Sequence, residues 1–177
     1  MNESSQTLKS TTIQYGMYFG FIIVAYNFIA HIMGISNEFS WTAIGVYYAV
    51  FFSSILVIIP LSLFNFRKLN DNFLSLTEAM KLGLGILLIG LIINISSQLI
   101  IWEFLTDQNQ MISSIENFMI ENVPPEMLTD EMIVQATEDT RNQFSFASIG
   151  TRLLSNLILI SLYTLIMGLA FKRTKSA

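Results

Sequence analysis

The chain contains no cysteine and a single histidine, His31, among its 177 residues. The absence of thiols excludes disulfides, zinc–thiolate sites, iron–sulfur clusters and cysteine nucleophiles. Charge is scarce as well, since only 12% of the residues are charged, whereas a soluble domain typically has roughly 25%. No cluster of basic residues alternates with aromatic residues, which argues against a nucleic-acid partner. A surface so poor in charge indicates a protein that faces lipid rather than water.

The sequence also lacks the short motifs that accompany most enzymes and cofactor sites. It has no P-loop, dinucleotide fingerprint, H-E-x-x-H zinc motif or nucleophile elbow. A serine–histidine–acid triad would have to use His31 with an acid from a distant loop, and nothing in the spacing suggests such a triad. We therefore expect a protein that is not an enzyme and that binds no cofactor and no metal.

What the chain does have is four long apolar segments. The clearest of them contains no ionisable group from Leu82 to Trp102 and is bounded by Lys81 and Glu103. A helix of that length matches the hydrocarbon core of a bilayer, which is about 30 Å thick. Lipid offers no hydrogen bonds to an open backbone, so helices are expected. The predicted fold is an all-α integral membrane four-helix bundle, one multi-pass domain over residues 1–177 with spans at about 13–33, 41–64, 82–102 and 153–171.

The distribution of lysine and arginine predicts the orientation of the four spans. The N-terminal tail, the connection after the second span and the C-terminus share one side and hold seven basic residues, whereas the other side holds Arg141 and Arg152. Basic flanking residues are retained in the cytoplasm. We therefore expect an inner-membrane protein with both termini in the cytoplasm and with residues 104–145 outside it. The seven basic residues are Lys9, Arg67, Lys68, Lys81, Lys172, Arg173 and Lys175.

Small and polar residues recur at helical spacing along the spans, where they mark the faces that meet other helices. Gly16 and Gly20 in the first span and Gly83 and Gly90 in the third are predicted helix-packing positions. The polar residues allow two interpretations, a packing seam with amides bonded across helices or a polar cavity inside the bundle. The candidate residues for this polar interior are Asn27, His31, Ser53, Asn94, Gln98 and Asn156.

Two charged residues lie near the outer ends of the third and fourth spans. Glu103 and Arg152 are candidates for an ion pair at the outer interface, provided that these helices are neighbours. In the alternative interpretation, each residue anchors its own helix among the lipid headgroups. The spans hold no acidic or basic residue near their centres, although ion-coupled transporters usually need one there.

The segment 104–145 is the longest polar stretch of the chain, and it holds eight acidic residues against Arg141 alone. Apolar residues at helical spacing predict one helix from about Asp107 to Glu121 and a second from about Pro125 to Gln143. Together they would form an extracytoplasmic helical hairpin over the mouth of the bundle. Three interpretations stay open: a solvated cap, a docking surface for a partner, and a divalent-cation site, although the acids lack the spacing of an EF-hand loop.

The entrance to the third span carries the most specific local pattern. Residues Ser75 to Glu78 have the form of a capping box, which predicts that a helix begins near Leu76. Four spans with a long outer loop between the third and the fourth resemble a membrane family common in Bacteroidota, the domain of unknown function 4199, and so do the stretch from Leu76 to Gly83 and the exit at Trp102 and Glu103. The resemblance covers nearly the whole chain and implies a fold and a membrane location. It implies no activity and assigns no functional residue.

These patterns favour a non-enzymatic accessory or assembly component that acts through protein contacts. The glycine-bearing helix faces, the hairpin and the lack of buried charge motivate this hypothesis. Its partners would be the lipid bilayer and either another membrane protein or a second copy of the chain, without nucleic acid. The alternative is a small transporter or permeation pathway through the polar stripe.

Overall fold

The computed structural model describes residues 3–35 and 39–173. Their helices are α1 (Glu3–Ile32), α2 (Trp41–Leu69), α3 (Leu76–Phe104), α4 (Gln108–Asn122), α5 (Asp130–Arg141) and α6 (Phe146–Phe171). Four of them, α1, α2, α3 and α6, are long and apolar enough to cross a membrane. The other two form a hairpin between α3 and α6. The predicted all-α membrane bundle is therefore confirmed.

The membrane helices are longer than the apolar segments that predicted them. The first helix begins at Glu3, about ten residues before the predicted span, and α6 begins at Phe146 instead of Leu153. A helix continues into polar residues when its first amides find partners, and the Ser145 side chain supplies one at the start of α6. The third helix begins where the capping box predicts, because the Ser75 amide donates to Glu78 Oε2 at 2.8 Å and the Glu78 amide donates to Ser75 Oγ at 3.2 Å.

The hairpin departs from its prediction at both ends of its second helix. This helix, α5, begins at Asp130 rather than near Pro125, because the chain first makes a turn in which the Pro124 carbonyl accepts two backbone amides. The Thr129 side chain then caps the first turn of α5. At its other end, α5 stops at Arg141 rather than near Gln143, because a turn over 142–145 separates α5 from α6.

Close contact between α1 and α3 depends on the two glycines of the first span. An added Cβ atom would lie 2.8 Å from Ile89 at Gly16 and 2.7 Å from Ile93 at Gly20. These separations are shorter than van der Waals contact, so no larger residue fits without moving a helix. The small residues therefore set how closely the two helices approach.

The two glycines of α3 face different neighbours. Gly90 lies against the ring of Phe19 on α1, and Gly83 lies against the Thr164 side chain on α6. All the glycines predicted as packing positions are buried. The helix α3 is consequently in close contact with α1 along one face and with α6 along another.

The end of the bundle that carries α4 and α5 is called the hairpin end here, and the opposite end is called the basic end. At the basic end, Leu74 in the α2–α3 connection and Arg173 after α6 exchange two backbone hydrogen bonds of 3.0 Å. The Arg67 guanidinium lies over the rings of Phe64 and Phe171. The packing beside them is complete, with 0% exposure at Leu63, Phe66, Leu74, Ala79 and Leu82.

Candidate functional site

Two asparagines predicted for the polar interior meet in the half of the bundle nearer the hairpin. The Asn27 amide of α1 donates to Asn94 Oδ1 of α3 at 2.9 Å and to the Ser97 hydroxyl at 3.0 Å. All three side chains are buried, with exposures of 7%, 3% and 5%. Burial of a polar group lowers stability unless the group is paired. Here the amides of neighbouring helices pair with one another.

Tyr47 of α2 extends this network, although the sequence interpretation missed it. Its hydroxyl oxygen accepts hydrogen bonds from Asn94 Nδ2 at 3.1 Å and from Gln98 Nε2 at 3.4 Å. Because both contacts use the oxygen as acceptor, the hydroxyl proton remains available to donate. A tyrosine in an apolar span usually has a polar partner, but the chain has six tyrosines and their spacing does not single out this one.

Gln98 connects the network to Arg152 of α6. The guanidinium donates to Gln98 Oε1 at 3.4 Å and to the Gln143 carbonyl oxygen. It also lies 5.2 Å from the ring centre of Phe144. Its Nε has no hydrogen-bond partner among the described residues, so the donor capacity of the guanidinium is only partly used.

The predicted ion pair between Glu103 and Arg152 is not formed. Glu103 is exposed, and the groups that hold Arg152 are neutral. The helical geometry of α3 explains why the pair is absent. Trp102 follows Gln98 by about one helical turn and therefore shares its face, which meets Arg152. Glu103 is rotated away from that face by more than a quarter of a circle. Trp102 is accordingly buried and lies at the cavity described below.

Three other residues predicted for the polar interior lie elsewhere. Ser53 is exposed on the face of α2 that also carries Gly45, for which an added Cβ would meet nothing within 4 Å. Asn156 is half-buried and donates at 2.8 Å to a carbonyl of its own helix. His31 is half-buried, and its Nδ1 has no partner in the described part of the chain. The polar cluster consists of Asn27, Tyr47, Asn94, Ser97, Gln98 and Arg152.

A cavity of about 520 Å³ lies at the hairpin end, between the membrane helices and the hairpin. Small-ligand pockets commonly measure about 300–1,000 Å³. The polar cluster contributes Asn27, Tyr47, Gln98 and Arg152 to its lining, and Arg152 is the one charged residue among the described lining residues. Much of the remaining wall is apolar and includes Ile44, Ile101, Trp102, Met111, Ile115 and Phe144.

The polar cluster does not continue toward the basic end. Phe19 and Phe51 lie next in that direction, with ring centres 5.6 Å apart, and both are buried. The gap bordered by Phe19, Ile55 and Ile86 has no room for a water molecule. The polar cluster therefore has the bonding of a packing seam and opens to a cavity on one side, while the described bundle is closed beneath it.

Comparison with known families gives one match. A family model described as a protein of unknown function (DUF4199) matches residues 14–173, nearly the whole chain. The chain belongs to this family. Membership confirms the resemblance inferred from the sequence, and it assigns no activity. Neither the curated proteins nor the solved structures include a match to the chain.

Proposed function

We propose that this membrane protein is a non-enzymatic accessory or assembly component that acts through protein contacts. The observation that carries the proposal is that α5 has no buried residue, although it is a regular helix of 12 residues with a side-chain cap. Isolated helices of that length are marginal in water. A helix that the bundle leaves so uncovered is suited to contact a partner.

The two helices of the hairpin are held to different degrees. On α4, Phe118 packs against the rings of Phe39 and Trp41, with ring centres 4.9 Å and 5.3 Å away. On α5, Met132 and Val134 are exposed apolar residues. Apolar and adaptable side chains such as methionine are favoured at contact surfaces. Thus α4 anchors the hairpin, whereas α5 exposes an apolar residue on each of two opposite sides, and we assign these sides to contacts with a partner.

We further propose that the protein lies in the cytoplasmic membrane with both termini in the cytoplasm and the hairpin outside. The support is the excess of basic residues at the basic end, among them Arg67, Lys68 and Arg173. Lys175, which also counts toward this excess, lies outside the described residues. The acidic hairpin favours a partner with a basic surface, and salt is expected to weaken such a complex.

Co-purification after extraction in a mild detergent tests the accessory role. The wild-type chain is expected to bring down a stoichiometric partner or to form a stable homo-oligomer. The double variant Met132→Glu with Val134→Glu should abolish the association, because it replaces exposed apolar side chains of α5 by charge. Asn109→Glu adds a charge at an exposed position of α4 and should preserve it. A partner-free monomer, or equal recovery from all variants, would contradict the proposal.

A second candidate function is a small transporter or permeation pathway, which the polar cluster and the cavity favour. The closed packing at Phe19 and Phe51 means that transport would require the helices to move. Flux of small anions into reconstituted liposomes tests this candidate. Flux that Asn94→Leu abolishes and Asn156→Leu preserves would favour transport, whereas wild-type liposomes as tight as protein-free ones would reject it.

A further inference from the structure

We propose that the cavity at the hairpin end binds a single-chain amphiphile by its anionic head group, a carboxylate or a phosphate. The head group would contact Arg152 and Tyr47, and the chain would lie along the apolar wall. The cavity is a different surface from the exposed side of α5. This inference can therefore fail without affecting the proposed contact function, and the reverse also holds.

The charge of the cavity identifies the sign of the head group. Arg152 lies in the second turn of α6 and is half-buried, and burial of a charge is costly unless the charge is paired. Its hydrogen-bond partners, Gln98 and the Gln143 carbonyl, are neutral. No acidic residue occurs among the described lining residues. No described residue of the lining therefore pairs with this positive charge, and an anion in the cavity would pair with it directly.

The direction of the hydrogen bonds points to the same class of ligand. Asn27 donates to Asn94, and Asn94 donates to Tyr47, as does Gln98. Both bonds to Tyr47 use the tyrosine oxygen as the acceptor, so its hydroxyl proton and the spare N–H groups of Arg152 are left as donors. A carboxylate or phosphate group accepts hydrogen bonds from such donors, and charge makes these bonds stronger than neutral ones.

The apolar wall distinguishes an amphiphile from a free inorganic anion. Ile101, Trp102 and Ile115 line the cavity beside the polar residues and are buried. A small ion would leave this wall facing water, whereas a hydrocarbon chain would cover it and gain the free energy of apolar burial.

Tryptophan fluorescence provides a local probe of occupancy. The protein is placed in nanodiscs of phosphatidylcholine with Trp41→Phe, so that Trp102 is the one remaining tryptophan. Trp102 lines the cavity and is 7% exposed. A bromine atom quenches tryptophan at short range, so a chain-brominated dodecanoate that merely dissolves in the bilayer should quench Trp102 weakly and in proportion to its concentration. Saturable quenching is therefore expected only if the amphiphile enters the cavity.

Variants in the same background test the assigned contacts. Arg152→Gln should weaken binding about tenfold or more, because it removes a charge-assisted hydrogen bond. Arg141→Gln removes the same charge from an exposed position at the same end and should leave binding unchanged. Tyr47→Phe keeps the ring and should weaken binding about threefold or more. It carries the test if Arg152→Gln does not give folded protein by size-exclusion chromatography.

Matched ligands separate the possible outcomes. Brominated dodecanol, which has the same chain without charge, should quench much less than the carboxylate. Acetate and inorganic phosphate should compete poorly with the brominated dodecanoate, whereas unbrominated dodecanoate should displace it. Equal quenching by the alcohol, or unchanged affinity in both the Arg152→Gln and Tyr47→Phe variants, would overturn anion recognition. Displacement by phosphate as effective as that by dodecanoate would overturn the assignment of an amphiphile.

Discussion

The hairpin end and the basic end of this bundle are built from the same helices and packed in opposite ways. At the basic end, Leu63, Phe66 and Leu82 are fully buried, and two backbone hydrogen bonds tie the α2–α3 connection to the end of α6. At the hairpin end, a cavity of about 520 Å³ separates the helices from the hairpin. Polar side chains with unused donors line part of its wall.

This contrast indicates how stability and recognition are divided within one small domain. A complete apolar core stabilises a fold, whereas a cavity and partly paired polar groups lower its stability. The dense packing toward the basic end offsets the incomplete packing at the hairpin end. Functional variation is therefore expected at the hairpin end and structural sensitivity toward the basic end.

The largest difference is expected between two glycine substitutions. Gly83→Leu should lower the free energy of unfolding by about 3 kcal/mol, because the new side chain would overlap Thr164. Gly45→Leu, at the hairpin end of α2, should change it by less than about 1 kcal/mol, since nothing lies within 4 Å of an added Cβ. Thermal unfolding in detergent followed by circular dichroism measures both. Similar losses of unfolding free energy from the two variants would contradict the difference in packing between the two ends of the bundle.

A smaller effect is expected within the polar cluster. Asn94→Leu should destabilise the bundle by about 1–2 kcal/mol, because it removes the bonds of Asn94 to Asn27 and to Tyr47 within a buried polar cluster. Asn156→Leu is the matched control, since its side chain bonds only to its own helix. The same unfolding assay compares them. If Asn156→Leu proved as destabilising as Asn94→Leu, the bonds between helices would not be the cause.

Helix caps provide a third comparison. Ser75→Ala removes the capping box of α3 and should cost about 1 kcal/mol of global stability. Thr129→Ala removes the cap of α5 and should mainly open that helix locally, because α5 buries no residue. Amide hydrogen exchange should therefore accelerate in α5 with little change in the unfolding midpoint. A midpoint lowered equally by both variants would show that the hairpin folds as one unit with the bundle.

The smallest effect is expected at Glu103. Because this residue is exposed and Arg152 is held by neutral groups, Glu103→Gln should change the free energy of unfolding by less than about 0.5 kcal/mol. Chemical denaturation with and without salt measures the change. A larger loss of unfolding free energy that disappears at high salt would instead indicate that Glu103 and Arg152 form the candidate ion pair.

The fold could be predicted from the sequence because its strongest patterns depend on neighbouring residues and not on how the helices pack. A long uncharged apolar stretch identifies a membrane helix wherever that helix packs, and the Ser75–Glu78 box identifies a helix start from four adjacent residues. The Pro124–Pro125 pair was harder to interpret, because proline suits both a turn and the first turn of a helix. Here the turn was formed, and Thr129 began the helix instead.

Sequence alone could identify a residue of the polar cluster only where that residue was one of few polar residues in its span. Asn27 and Asn94 stand out in apolar spans, and they do meet. The second span is apolar on most sides, so its sequence does not show which face is inward. Its pattern predicts Ser53 in the interior, whereas in the structure Ser53 is exposed and Tyr47 joins the polar cluster. The contact of Arg152 with Gln98 depends on the rotation of α3 relative to α6, which no local pattern records.

The backbone pairing of Leu74 with Arg173 has a practical consequence for topology mapping. The α2–α3 connection and the segment after α6 are far apart in the sequence but lie side by side, so they must occupy the same aqueous compartment. A reporter fused after the last residue therefore also reports the compartment of the α2–α3 connection. Since the chain has no cysteine, a single engineered thiol on the hairpin, labelled with an impermeant maleimide, would assign the other compartment without background.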